Sequence, residues 1–190
     1  MFITPGAVPP ESGLTYQRSI EYSTVDGRYG SFLEKDILPV VEADYNISRD
    51  PAMRIATGGS EGGICAFALS WFRPDLFGKV LSWVGAFVNI RGGHHLPWLV
   101  RNTPRQSIVV WLADGVNDSN SQHGSLPLAN EQMAAALEYS GYTYRIEWGQ
   151  GGHSPKHQAS LLPEALRWLF ATSAAPPVQP SGPTMVTGKL

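Results

Sequence analysis

The sequence predicts an α/β fold, a mostly parallel sheet with helices on both faces and about five strands visible in the chain. Three observations lead there. Short runs of β-branched and aromatic residues alternate with longer stretches whose apolar residues recur at helical spacing. Glycine and proline punctuate the junctions, and 43% hydrophobic against 16% charged residues suits one domain with a real core.

The elements follow in order. Residues 2–4 (Phe-Ile-Thr) are the first apolar run. Residues 29–45 carry Phe32, Leu33, Ile37, Val40 and Val41 at helical intervals. A second strand is predicted over 53–57 and a helix over 61–72, where Ile64, Phe67, Ala68 and Trp71 share a face and "RPDLFG" stops the helix. Strands follow at 80–87 and 108–113. A helix over 128–139 ends at "SGY", the fifth strand occupies 142–148, and a last helix spans 158–170. Trp71, Trp83 and Trp168 fall at core-facing spacings. The domain is therefore 1–172, and the Pro/Ser/Gly-rich stretch 173–190 reads as a flexible tail without enough apolar surface to offset its ordering entropy. No internal repeat is apparent.

A net charge of −2 leaves no basic stripe for nucleic acid or an anionic membrane. No apolar run reaches the roughly 20 residues of a membrane span, and the first residues lack a signal-peptide pattern. A cytoplasmic location is the default expectation, with an extracellular or periplasmic one if the chain is an N-terminal truncation. Cys65 is the sole cysteine, so no intrachain disulfide can form.

The chemistry concentrates in "ATGGSEGGICAF", residues 56–67. Gly58-Gly59-Ser60-Glu61-Gly62 matches G-x-S-x-G between a predicted strand and a predicted helix, where a tight turn exposes the serine hydroxyl and the Glu61 backbone N–H can face a developing oxyanion. Taken alone the pattern is weak, because glycine-rich strand-to-helix turns are common. A serine needs a base, and the base needs a carboxylate to fix its tautomer. "WLADGVNDSN" follows the fourth strand with Asp114 and Asp118; "WGQGGHSPKH" follows the fifth with His153. Serine, acid and histidine, each after its own strand, form a far stronger signal than any one of them. His153 and His157 have metal-like spacing, but Pro155 lies between them and no thiolate or close carboxylate joins them, so no metal is expected. "GGSEGG" lacks the Lys-Ser or Lys-Thr of a phosphate loop.

From about Asp26 to Phe170, and most specifically in "YGSFLEKDILPVVEADYNISRDPAMRIATGGSEGGICAFALSWFRPDLFGKVLSWVGAF", "GVNDSN" and "GGHSPKH", the chain resembles the putative-esterase family of α/β-hydrolases, which includes enterochelin esterases, S-formylglutathione hydrolases and feruloyl esterases. The resemblance implies an α/β-hydrolase-type sheet and a serine carboxylesterase without cofactor. Ser60 would be the nucleophile and His153 the base. Asp118 would be the acid, three residues after the loop glycine Gly115, with Asp114 the runner-up that hydrogen-bonds loop amides instead. His94, His95 and Trp98 fall where the family places cap or pocket residues; a solvated loop is the simpler account. The expected partner is a small-molecule ester.

The resemblance also marks a shortening at the N-terminal end. "FITPGAV" is similar to the family's fourth strand and its exit loop, so the preceding strand, whose loop supplies the second oxyanion N–H, has no counterpart here. Three arrangements are open: residues 2–4 pair with the nucleophile strand, a homo-oligomer completes the sheet, or the sequence is a piece of a longer protein. Gly6 and Ala7 are substitute sources of the second N–H. A non-catalytic binding or assembly module and an acyltransferase on the same triad remain the alternatives to hydrolysis.

Overall fold

A computed structural model describes residues 1–7 and 17–175. Most of the tail predicted over 173–190 lies outside the described residues. The helices in chain order are α1 (Gln17–Ser23), α2 (Arg28–Phe32), α3 (Leu38–Asp44), α4 (Glu61–Phe72), α5 (Leu96–Asn102), α6 (Leu126–Tyr139) and α7 (Pro155–Ala171). The strands are β1 (Ile55–Gly59), β2 (Lys79–Trp83), β3 (Val109–Gly115), a hairpin of β4 (Asn120–Ser121) and β5 (Gly124–Ser125), and β6 (Thr143–Gly149).

β1, β2, β3 and β6 form a parallel sheet in that order. The central strands β2 and β3 are buried throughout, which is why both read as continuous apolar runs. Side chains alternate between two cores. Ala56, Val80, Val110 and Leu112 face α4, α5 and α6 through Ile64, Phe67, Val100, Met133 and Leu137; Leu81, Trp83, Val109 and Trp111 face α7 through Ala165 and Leu169. Helices thus cover both faces, as predicted.

The predicted helix over 29–45 is α2 and α3 joined by a π turn, Leu33–Ile37. A helix that accommodates five-residue hydrogen bonding and then Pro39 bends without breaking its apolar stripe. The expected strand at 2–4 is not one. Phe2 is fully exposed, Ile3 packs on the core, and the Ile3 carbonyl accepts a hydrogen bond from the Tyr22 hydroxyl at 2.6 Å. Three residues are too few for periodicity to separate a strand from an anchored coil. Among the described residues, β1 pairs only with β2 and is an edge of the sheet.

One buried charge ties the sheet to α7. Lys79, at the start of β2, is 4% exposed, and its ammonium donates to the carbonyls of Leu169 and Thr172 at the end of α7 and lies 5.4 Å from the Phe170 ring centre. A cation beside the last carbonyls of a helix satisfies groups that have no partner within it and complements their partial negative charge. Lys79→Met is expected to lower stability by about 1–3 kcal/mol, the cost of leaving buried carbonyls unpaired. Denaturant unfolding reads this directly, and an unchanged midpoint would show that the contact contributes nothing.

Candidate active site

The parallel sheet brings the ends of β1, β3 and β6 to one edge, where the predicted residues lie. Ser60 follows β1 and precedes α4 with φ 59° and ψ −121°, a left-handed conformation uncommon for a residue with a side chain. Its N–H donates to Trp83 O at 3.0 Å; its carbonyl accepts from Gly63 at 2.9 Å and from Ala86 at 3.1 Å. The turn is therefore held from β2 and from α4 together. It closes only because Gly58 has no side chain, since a Cβ there would lie 2.3 Å from the Gly62 carbonyl oxygen. Glu61 opens α4, and the first N–H groups of a helix have no partner within it. The Ser60 hydroxyl makes no hydrogen bond among the described residues, so it stands available in the turn.

The acid and histidine loops are stitched to each other. Val116 N donates to Gly149 O, Asn117 N to Gly151 O, and the Asn117 side chain to Gln150 O at 2.8 Å. A Cβ on Gly115 would lie 2.0 Å from Gly151 O, so only glycine permits the approach. On this frame His153 Nδ1 lies 2.9 and 3.1 Å from the two Asp118 oxygens. The histidine side chain is 39% exposed and that of Asp118 is fully buried. An open cleft of about 670 Å³ adjoins Asp118, with Val116, Asn117, Glu131 and Trp148 in its walls.

Asp114 sits elsewhere, wholly buried. Its Oδ1 accepts from the Gly115 N–H at 2.7 Å and its Oδ2 from the Asn130 side chain at 2.8 Å. Burial first, then the hydrogen bond it shares with Asp118, push its carboxyl up to about 8. Burial works against ionisation of Asp118 as well, but hydrogen bonds with Asp114, the Ser119 N–H and His153 hold that carboxyl below the usual carboxylate range. Their surroundings thus push the two carboxyl groups in opposite directions.

The remaining expectations meet mixed outcomes. The Glu61 carboxylate is occupied by Arg18 at 2.9 Å and Ser19 at 2.6 Å, which pins α1 beside the serine turn. The Gly6 N–H donates to the Glu21 carboxylate and does not face Ser60. His94, His95 and Trp98 form an exposed edge-to-face series with ring centres 4.9 and 6.2 Å apart. They do not line the cleft at Asp118. Burial pushes the Cys65 thiol up to about 12, which removes it as a rival nucleophile. Sequence reasoning missed Asn117 and Asn130, whose roles depend on loops meeting in space. It also missed Gln158, whose side chain lies against the open face of Gly59.

A family model described as putative esterase matches residues 15–169. The uncharacterized protein YbbA of Bacillus subtilis (strain 168) is 25% identical over 160 residues, covering 80% of this chain and 63% of YbbA. The iron(III) enterobactin esterase of Dickeya dadantii (strain 3937) is 23% identical over 155 residues, covering 76% of this chain and 36% of that enzyme. The chain thus spans less than two thirds of either relative. The enterobactin esterase FES from Shigella flexneri shares the fold with a TM-score of 0.71 at 21% identity, over 84% of this chain and 42% of FES. An S-formylglutathione hydrolase from Agrobacterium tumefaciens does so with 0.58 at 15%, over 75% and 57%. The fold is that of the α/β-hydrolase-type esterases.

Two outcomes follow from this geometry. Gly58→Ala should collapse the serine turn and yield little folded protein, whereas Gly62→Ala, with nothing within 4 Å of its added Cβ, should fold with unchanged or slightly higher stability. Soluble yield and melting temperature distinguish them; equal behaviour would contradict the turn geometry. A carboxyl pKa raised in the folded state contributes stability that is complete below its unfolded value of about 4 and is lost as pH rises through its folded value. For Asp114 that upper limit is about 8. The melting temperature should therefore fall between about pH 4 and 8, and Asp114→Asn should flatten the fall; an identical slope in the variant would contradict a raised Asp114 pKa.

Proposed function

The chain belongs to the putative-esterase family, and from that premise we propose that it cleaves carboxylic esters through Ser60, His153 and Asp118. The observation that carries this reading is the placement of a strained serine turn and a hydrogen-bonded histidine–carboxylate pair at the same edge of one parallel sheet. In the proposed reaction Ser60 Oγ attacks the ester carbonyl carbon as His153 takes the hydroxyl proton. Asp118 stabilises the resulting imidazolium through Nδ1. The Glu61 N–H donates to the oxyanion, a contribution typically of about 3–4 kcal/mol per donor. Collapse of the tetrahedral intermediate breaks the ester C–O bond, and the alcohol leaves with the proton from His153. Water then gives one proton to His153 and attacks the acyl-serine carbonyl; as the second tetrahedral intermediate collapses, His153 returns that proton to Ser60 Oγ, the acyl–Oγ bond breaks and the carboxylic acid leaves.

A histidine base must be neutral to accept the proton, so hydrolysis rises from acid toward neutral pH. No step requires a cofactor. Solved structures that share the fold include a ferulic acid esterase, an enterobactin esterase and an S-formylglutathione hydrolase. A small-molecule ester is the proposed substrate class, and its identity depends on loops rather than on the shared sheet.

Ser60→Ala is expected to lower p-nitrophenyl acetate hydrolysis by at least about a thousandfold with an unchanged melting profile. Turnover that survives the substitution in folded protein would defeat the assignment of the nucleophile.

A further inference from the structure

The histidine loop leaves β6 at Gly149 and ends where α7 begins, so His153 is carried by whatever seats the start of that helix. The Ser154 side chain caps α7 by accepting from the Lys156 N–H at 3.3 Å. Two consecutive side chains of the first turn then reach glycines at the ends of two strands. The His157 ring fills the space that a side chain on Gly149 would need: a Cβ there would lie 2.5 Å from Cε1 and 2.7 Å from each ring nitrogen. The Gln158 carboxamide lies against Gly59, its Nε2 3.3 Å and its Oε1 3.6 Å from where a Cβ on Gly59 would stand. Gly59 ends β1 and immediately precedes Ser60; Gly149 ends β6 and opens the histidine loop. Both side chains are partly buried, and neither makes a hydrogen bond among the described residues. They act by contact, each occupying volume that a glycine leaves free.

We propose that His157 and Gln158 are positioning residues that seat the first turn of α7 on Gly149 and Gly59, and so set how closely His153 approaches Ser60. The apolar face of α7 does not do this alone. Leu161, Ala165 and Leu169 pack against Leu81, Trp83, Val109 and Trp111, but those contacts begin about one turn beyond Gln158 and leave the helix start free to tilt. His157 fixes that start against β6, the strand that leads to the base. Gln158 fixes it against β1, the strand that leads to the nucleophile. The proposal rests on the ester-cleavage reading for what the positioned histidine accomplishes, not for the seating itself.

The test uses the intact chain and two sets of variants. Gln158→Ala removes the contact with Gly59, whereas Gln158→Met keeps its length without the amide. With p-nitrophenyl acetate, the alanine variant should lower kcat by at least about fivefold with KM within about twofold, and the methionine variant should recover most of the loss. Gly149→Ala places a Cβ where the His157 ring lies, and His157→Ala removes the ring. Gly149→Ala should lower kcat by at least about tenfold in the wild-type background and by less than about twofold in the His157→Ala background, because the two sites share one volume. The His153 ring-proton resonances, read by NMR without substrate, should shift in Gln158→Ala, return in Gln158→Met, and show the same non-additivity for the second pair.

Folded Gln158→Ala and His157→Ala proteins with wild-type kcat and unmoved His153 resonances overturn the proposal. So does a Gln158→Met protein as impaired as Gln158→Ala, a result that decides the matter even if Gly149→Ala does not fold. Strict additivity of Gly149→Ala and His157→Ala overturns it as well. If wild-type protein hydrolyses no ester while its His153 resonances respond as expected, the esterase reading fails and the seating role stands.

Discussion

The hydrogen bond between His153 Nδ1 and Asp118, 2.9 Å long, is the contact on which the rest of the site depends. It joins two loops far apart in sequence, and nothing local to either loop would create it. The register of β3 with β6 sets Gly115 opposite Gly149, so both loops leave the sheet at one level. Glycine at 115 lets the backbones meet, and Asn117 ties them together. Beyond His153 the chain enters α7, whose far end is gripped by Lys79 from within the sheet. The imidazole is thereby held in place by its own loop and its carboxylate, the preorganisation that the proposed role as a base requires.

This placement is costly. Ser60 adopts a positive φ, a conformation worth on the order of 1–3 kcal/mol of strain. Ser82 Oγ and Asn130 Oδ1 are buried without hydrogen-bond partners among the described residues. The sheet offsets such losses with fully buried Trp111, Phe67 and Phe87, each contributing on the order of 2–3 kcal/mol by leaving water. Ser82 lies near the carboxyl end of β2, and Asn130 packs against the carboxyl end of β3.

Much of this was legible in the sequence, and what was not failed for physical reasons. The helix 61–72 could be bounded to the residue because a glycine-serine turn opens it and "RPDLFG" closes it. The run 80–87 looked like one strand, but β2 ends at Trp83; Val84 has φ 42°, and the chain leaves the sheet while Phe87 stays buried. An apolar loop folded onto the core carries the same composition as a strand. α1 escaped notice because "QRSIEYS" has little apolar periodicity and is anchored by polar contacts to Glu61. Both aspartates of "LADGVND" were visible as candidates, but only the packing of α6 reveals that one is buried against Asn130 and the other faces the histidine.

The central claim is a covalent one, and its most direct measurement is the intact mass of protein quenched during hydrolysis of a p-nitrophenyl ester, followed by peptide mapping. The account predicts a transient mass increase equal to the acyl group, located on the peptide that contains Ser60. Continued turnover with no acyl group on Ser60 at any time, or an acyl group on another residue, would contradict it.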